Sequence, residues 1–180
     1  MDDKRLIEQV ESFAKGYYDK VTVRPNIWET HVLLVRKYAV ELAEKEKVSP
    51  QIVDIAAILH DIGRIETGAE HNVRSHDLSK PFLETIDLAE NDRMLILECI
   101  LKHSTRYASE DNRTEVRVIQ CADALANLFD EELQEYSRNT MSKAEINQAF
   151  SKLLNKITLD SARVIAETRG KESRTLLEQD

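Results

Sequence analysis

His60 and Asp61 stand side by side at the end of an apolar helical run, Ile52 to Leu59, and are followed by Ile62-Gly63-Arg64. An imidazole and a carboxylate on the last buried turn of a helix are costly to desolvate unless a charged group binds there. A divalent metal ion is the economical candidate, because it takes nitrogen and oxygen ligands in fixed geometry. The chain has five histidines, at positions 31, 60, 71, 76 and 103. His31 shares a helical face with Val35, Tyr38 and Leu42, and His103 with Ile96, Cys99 and Ile100, so both are expected to point into the core. Asp123 lies in the almost wholly apolar stretch from Val118 to Ala126, where flanking alanines leave room for another element.

Singly, each of these residues has a structural explanation, as a hydrogen-bonded core histidine or an aspartate paired with arginine. Together they are harder to dismiss, since four helices each deliver a metal-competent group from an apolar face, and burying them unpaired would cost several kcal/mol. By pattern alone, a metal site and a set of satisfied core polar groups both stand.

Helical periodicity dominates the chain, and no segment alternates cleanly over strand length. The spacing predicts helices near 3–19, 26–46, 50–61, 74–88, 91–104, 113–129, 140–157 and 159–178. Ser49 is an N-cap ahead of Pro50 at the first helical position, and Gly63 is a helix terminator. Pro81 is expected to kink or restart the 74–88 segment, with Ser79 as a new cap. The least helical stretch, 62–73, holds Gly63, Gly68 and His71. Only four glycines and three prolines occur in 180 residues, which disfavours turn-rich β-sandwiches and barrels and favours an all-α fold. One domain over 1–180 is expected, with a core of about 26–130, an N-terminal helix in 1–25 and covering helices in 131–180.

A net charge of −8 argues against general nucleic-acid binding, which needs a basic patch, but leaves room for a small phosphate substrate. The apolar runs are too short to cross a bilayer and the acidic N-terminus lacks the layout of a signal peptide, so a cytoplasmic protein without membrane contact is expected. Cys99 and Cys121 read as small core side chains.

The order His31, His60-Asp61, Asp123 resembles the H…HD…D signature of the HD-domain metal-dependent phosphohydrolase superfamily. The local texts Thr30-His31-Val32, Ala56-Ala57-Ile58-Leu59-His60-Asp61-Ile62-Gly63 and Ala122-Asp123-Ala124-Leu125 carry the likeness. His71, four residues before Ser75, and His103, in Ile100-Leu101-Lys102-His103-Ser104, resemble the family's extended pattern. The likeness spans about residues 26 to 130.

The resemblance implies an all-helical bundle of about five core helices around a metal centre. His31, His60, Asp61 and Asp123 would be the first metal's ligands. His71 and His103 would complete a second metal position, with Asp61 bridging, or contact substrate phosphate. His76 competes with His71, which its spacing to Ser75 favours. Imidazole and carboxylate ligands together suit Mn, Fe, Co, Ni or Zn better than Mg or Ca, with one or two ions. The implied reaction is attack of metal-activated water on a small phosphorylated metabolite or nucleotide, with Asp61 as the catalytic residue that orients the water. Arg64, Arg74, Lys102 and Arg106, next to these ligands in sequence, are the phosphate-binding candidates. Glu66 is an acid–base candidate, against a reading as solvated surface.

Two other functions fit the same scaffold: a di-iron oxygenase similar to the inositol oxygenase family, and a non-catalytic module that senses nucleotides or binds a partner. Residues 3–19 form an amphipathic helix with Leu6, Val10, Phe13 and Tyr17 on one side. Residues 140–178, with Ile146, Phe150, Leu153, Leu154, Ile157, Val164 and Ile165, suit either two helices that cover the bundle or a homodimer interface.

Overall fold

The structure, a computed structural model, describes residues 3–21, 26–64 and 70–177, with side chains as far as residue 169. The described residues are all-α, with no strand. The helices are α1 (Asp3–Tyr18), α2 (Leu33–Glu46), α3 (Pro50–Leu59), α4 (His71–Leu83), α5 (Glu90–Lys102), α6 (Thr114–Phe129), α7 (Glu131–Thr140), α8 (Lys143–Lys156) and α9 (Asp160–Leu177). A π-helical turn, Trp28–Val32, runs directly into α2, and a 3-10 turn, Thr105–Tyr107, follows α5. Glu66 and Gly68 fall in 65–69, and the last residue of the expected 159–178 helix is 178; all lie outside the described residues.

Helices α2 to α6 form the core. α2 packs on α3 and α6, α5 packs on α3, α4 and α6, and α1 covers α3. The reason is legible in α3, which buries every residue from Ile55 to Leu59 and starts on the Ser49 cap, whose hydroxyl accepts from the Ile52 amide. Burying such Ile, Leu and Val side chains stabilises the fold by roughly 1.5–3 kcal/mol each. α6 is likewise buried from Val118 to Ala126. The covering helices lie outside this layer, with α8 on α6 and α9 on α2 and α6.

Several local expectations change. α1 buries Leu6, Val10, Ala14 and Tyr18, a strict four-residue stripe, while Phe13 and Tyr17 lie at its flank. Phe13 instead stacks on Phe82 of α4, with ring centroids 3.9 Å apart. α4 begins at His71, three residues earlier than expected, and runs unbroken through Pro81 to Leu83. The helix ends two residues after Pro81, and Ser79 is buried within it instead of capping a restart. α7 is a helix that the sequence periodicity does not predict. It buries no residue and is started by Asp130, whose carboxylate accepts from the Leu133 amide. α8 begins on a capping box made by Ser142 and Glu145.

Candidate metal centre

Six backbone positions, those of His31, His60, Asp61, His71, His103 and Asp123, aim side chains at one point. His60 and His103 are the residues that close α3 and α5. Each Nδ1 lies 2.7 Å from a carbonyl of its own last turn, Ala57 O and Ile100 O respectively. A carbonyl only accepts, so Nδ1 carries the proton and Nε2 is left as a bare lone pair facing the centre. Both helix C-termini also turn the negative end of their dipole this way, which favours a cation. His31 sits on the π-helical turn, a form often found at functional sites because it re-aims a side chain. Asp123 is carried by the middle of α6.

His71, the first residue of α4, reaches the centre because Gly63 lets α4 come close. A Cβ on Gly63 would lie 2.5 Å from the Ser75 amide nitrogen and 2.6 Å from the His71 carbonyl oxygen. The Gly63 amide donates to Ser75 Oγ at 2.9 Å, which fixes that approach. Gly63 does not take positive φ, so its role is clearance and not a left-handed helix stop.

The side chains fall into two groups that share Asp61: His31, His60 and Asp61, and Asp61, His71 and His103, each with ligand atoms within 4.8 Å of one another. Asp61 Oδ2 faces His60 Nε2 at 3.6 Å and His31 Nε2 at 3.8 Å. Its Oδ1 faces His71 Nε2 at 3.2 Å and His103 Nε2 at 3.5 Å. Asp123 Oδ1 lies 3.1 Å from His31 Nε2 and 3.9 Å from His60 Nε2. The imidazoles crowd one another as well, with Nε2–Nε2 distances of 3.3 Å for His31–His60 and 2.9 Å for His71–His103.

This donor set fits a divalent cation. Nε2 atoms of four imidazoles and oxygens of two carboxylates converge to within 4 Å of their neighbours, so their lone pairs outnumber the protons available between them. Burial would by itself raise both carboxyls. Arg64, with His60, His103 and His71, holds Asp61 well below the usual carboxylate range; Lys156, with His31 and His60, does the same for Asp123. Burial pushes His31 down and His103 down to about 4, so both are neutral, ligand-ready imidazoles at neutral pH. Nitrogen and oxygen donors of this kind suit a first-row transition metal.

Of the phosphate-binding candidates, Arg64 meets the site: its Nε donates to Asp61 Oδ2 at 2.8 Å and its Nη2 lies 3.3 Å from His71 Nε2. Arg106 bonds Asn72 Oδ1 at 3.2 Å, and Asn72 in turn donates to the Leu101 carbonyl beside His103. Lys102 turns away to Glu98, at 2.7 Å. Arg74 has its Cβ against Gly63. His76 lies outside both groups and pairs with Asp77 at 2.8 Å. Two residues escaped the sequence reading. Asn127 Nδ2 donates to Asp123 Oδ1 at 2.9 Å, as its spacing of four on the same helix allows. Lys156 donates its buried ammonium to Asp123 Oδ2, and nothing in its sequence surroundings marks it.

The model of the HD domain matches residues 28–128, and the chain belongs to that family. Its fold is similar to the crystal structure of Bacillus subtilis YpgQ, at 21% identity over 99% of this chain and 95% of that one, with a TM-score of 0.73. It is also similar to Bacillus subtilis YpgQ in complex with ADP, at 20% identity over 96% and 94% of the two chains, TM-score 0.67. A predicted HD superfamily hydrolase from an uncultured Thermotogales bacterium matches at 18% identity over the whole of both chains, TM-score 0.63. No curated protein matches the chain. No described helix is long and apolar enough to cross a membrane.

Proposed function

We propose that the protein is a metal-dependent phosphohydrolase that releases phosphate from a nucleotide or another small phosphorylated metabolite. The observation that carries this reading is the position of Asp61, whose two oxygens face two separate imidazole groups. His31, His60, Asp61 and Asp123 would hold one divalent ion, and His71 and His103, sharing Asp61, a second. When bound, such an ion supplies water of lowered pKa and stabilises charge on a phosphoryl group, and paired ions suit in-line displacement.

The chain's own residues do the rest in this reading. Asp61 orients the attacking water. Arg64, which is partly exposed beside Asp61, binds the phosphate oxygens, with Arg106 as an outer contact. Nucleotides head the substrate class because a protein of the same fold is described in complex with ADP.

The test is metal analysis of the purified protein, followed by a phosphate-release screen over nucleotides and sugar phosphates, with Asp61→Ala as control. Bound transition metal and release that disappears in Asp61→Ala support the proposal. Full activity of rigorously metal-free protein would sink it, as would oxygen consumption in place of phosphate release, or tight nucleotide binding without turnover.

A further inference from the structure

Each buried carboxylate of the centre carries its own cation. Arg64 binds Asp61 Oδ2 from within the HD segment. Lys156 binds Asp123 Oδ2 from the last residue of α8, beyond the residues that match the family model. Lys156 is only 2% exposed, an unusual place for a lysine head group. Among the described residues its ammonium bonds to Asp123 alone, although it has three protons to donate. The imidazoles are neutral when their Nε2 atoms serve as ligands, so the two carboxylates and the two cations cancel.

That balance has a consequence for loading. A divalent ion enters a set of donors whose negative charge is already compensated, so its own charge stays on the site. The surroundings are buried, and Coulomb interactions there are stronger than in water. An arriving phosphate group supplies the missing negative charge. We propose that Lys156 makes metal loading and phosphate binding interdependent: by neutralising Asp123 it leaves the loaded centre positively charged, so each ligand binds more tightly in the presence of the other. This inference rests on the metal-dependent phosphohydrolase reading. Reciprocity follows from linkage, since a phosphate group that tightens the ion is tightened by it equally. A lysine that merely oriented Asp123 would have the opposite signature, because its removal would weaken the ion.

The experiment is titration of the protein with Mn(II), free ion being read by electron paramagnetic resonance, with and without inorganic phosphate. In the wild type, phosphate is expected to tighten Mn(II) by about tenfold, within the usual range of coupling between sites. In Lys156→Met, Mn(II) alone is expected to bind about tenfold more tightly and the effect of phosphate to shrink to about threefold or less. Lys156→Arg, which keeps the charge, is expected to behave as the wild type. If Lys156→Met does not fold, as judged by circular dichroism, Lys156→Gln is read in its place. Unchanged or weaker Mn(II) binding in the neutral variants overturns the inference, and so does a wild type that binds Mn(II) indifferently to phosphate; both outcomes leave the proposed function standing. A wild type that binds no metal under any of these conditions overturns both.

Discussion

His60 and His103 occupy the same position on two different helices: each closes its helix, and each gives its Nδ1 proton to a carbonyl three residues back at 2.7 Å. Their rings meet edge to face with centroids 5.0 Å apart. One hydrogen bond therefore does two things. It satisfies a carbonyl that a helix end would otherwise leave without a partner, and it fixes the tautomer and direction of the ring. Positioning of the site is thus built into the termination of α3 and α5.

Replacing His103 by alanine should expose this double role. The Ile100 carbonyl loses its partner, at a cost of about 1–3 kcal/mol in urea unfolding. Asp61 Oδ1 loses one of its two facing imidazoles, and metal affinity should fall by about ten- to hundredfold in a metal titration. His76→Ala, whose ring pairs with Asp77 outside both groups, should change neither quantity appreciably. Equal effects from the two variants would contradict the assignment.

Gly63→Ala tests the approach of α4. The added methyl would meet backbone atoms of Ser75 and His71 at 2.5 and 2.6 Å, and backbone cannot swing aside as a flexible side chain can. α4 must move outward, taking His71 with it. Overpacking of this kind costs about 1–3 kcal/mol, and phosphate release should fall more than stability alone explains. The check is a comparison of the urea midpoint with activity measured well below the unfolding transition.

Much of this arrangement was legible beforehand because it sits on helices of strong apolar periodicity. His31 and His103 share faces with Val35 and Cys99, which are buried, and Asp123 lies in a stretch, Val118 to Ala126, that is buried on every side. Asn127 was within reach of the same reading, one turn beyond Asp123. Lys156 was not. In α8 the apolar positions Phe150 and Leu154 are exposed while Lys156 is buried, so periodicity points the wrong way. A long-range ion pair, not hydrophobicity, decides the position of that lysine. α7 escaped because it has only two apolar residues, Leu133 and Tyr136, too few to set a period, and it buries none of its residues. The start of α4 was missed because Glu70 enters it through a left-handed conformation at φ 52°, which no glycine or asparagine signals.

The histidines give the metal-free protein a defined response to acid. His103 has a folded pKa pushed down to about 4 by burial, and His31 shifts the same way. In the unfolded chain a histidine takes up its proton near pH 6.5. Between these values the unfolded state binds more protons, so stability rises with pH through this window and is complete above it. Lowering the pH from 7 towards 4 should cost about 3 kcal/mol through His103 alone. Asp61 and Asp123, held below the usual range, keep their contribution until the pH falls further, through their folded values. Urea midpoints measured from pH 4 to 8 should show the slope, and His103→Gln should flatten it.

Stability can also be changed without touching the centre, at Arg36. Its guanidinium grips Asp54 of α3 with two bonds, at 2.7 and 3.0 Å, and reaches Glu11 of α1 at 2.7 Å. One side chain on α2 thereby ties α1 and α3 together on the flank of the bundle. The group is partly buried, which makes the interaction stronger than an exposed pair and weaker than a fully desolvated one. Arg36→Met keeps the apolar stem and removes the fork, and should cost about 1–3 kcal/mol. A double-mutant cycle with Asp54→Asn should return a coupling energy of about 1 kcal/mol, because the lost interaction is the same in both single variants. Metal content and phosphate release below the unfolding transition should stay at wild-type levels. A drop in metal content in the folded Arg36→Met protein would mean that the flank and the centre are mechanically coupled, contrary to the independence expected of sites without shared partners.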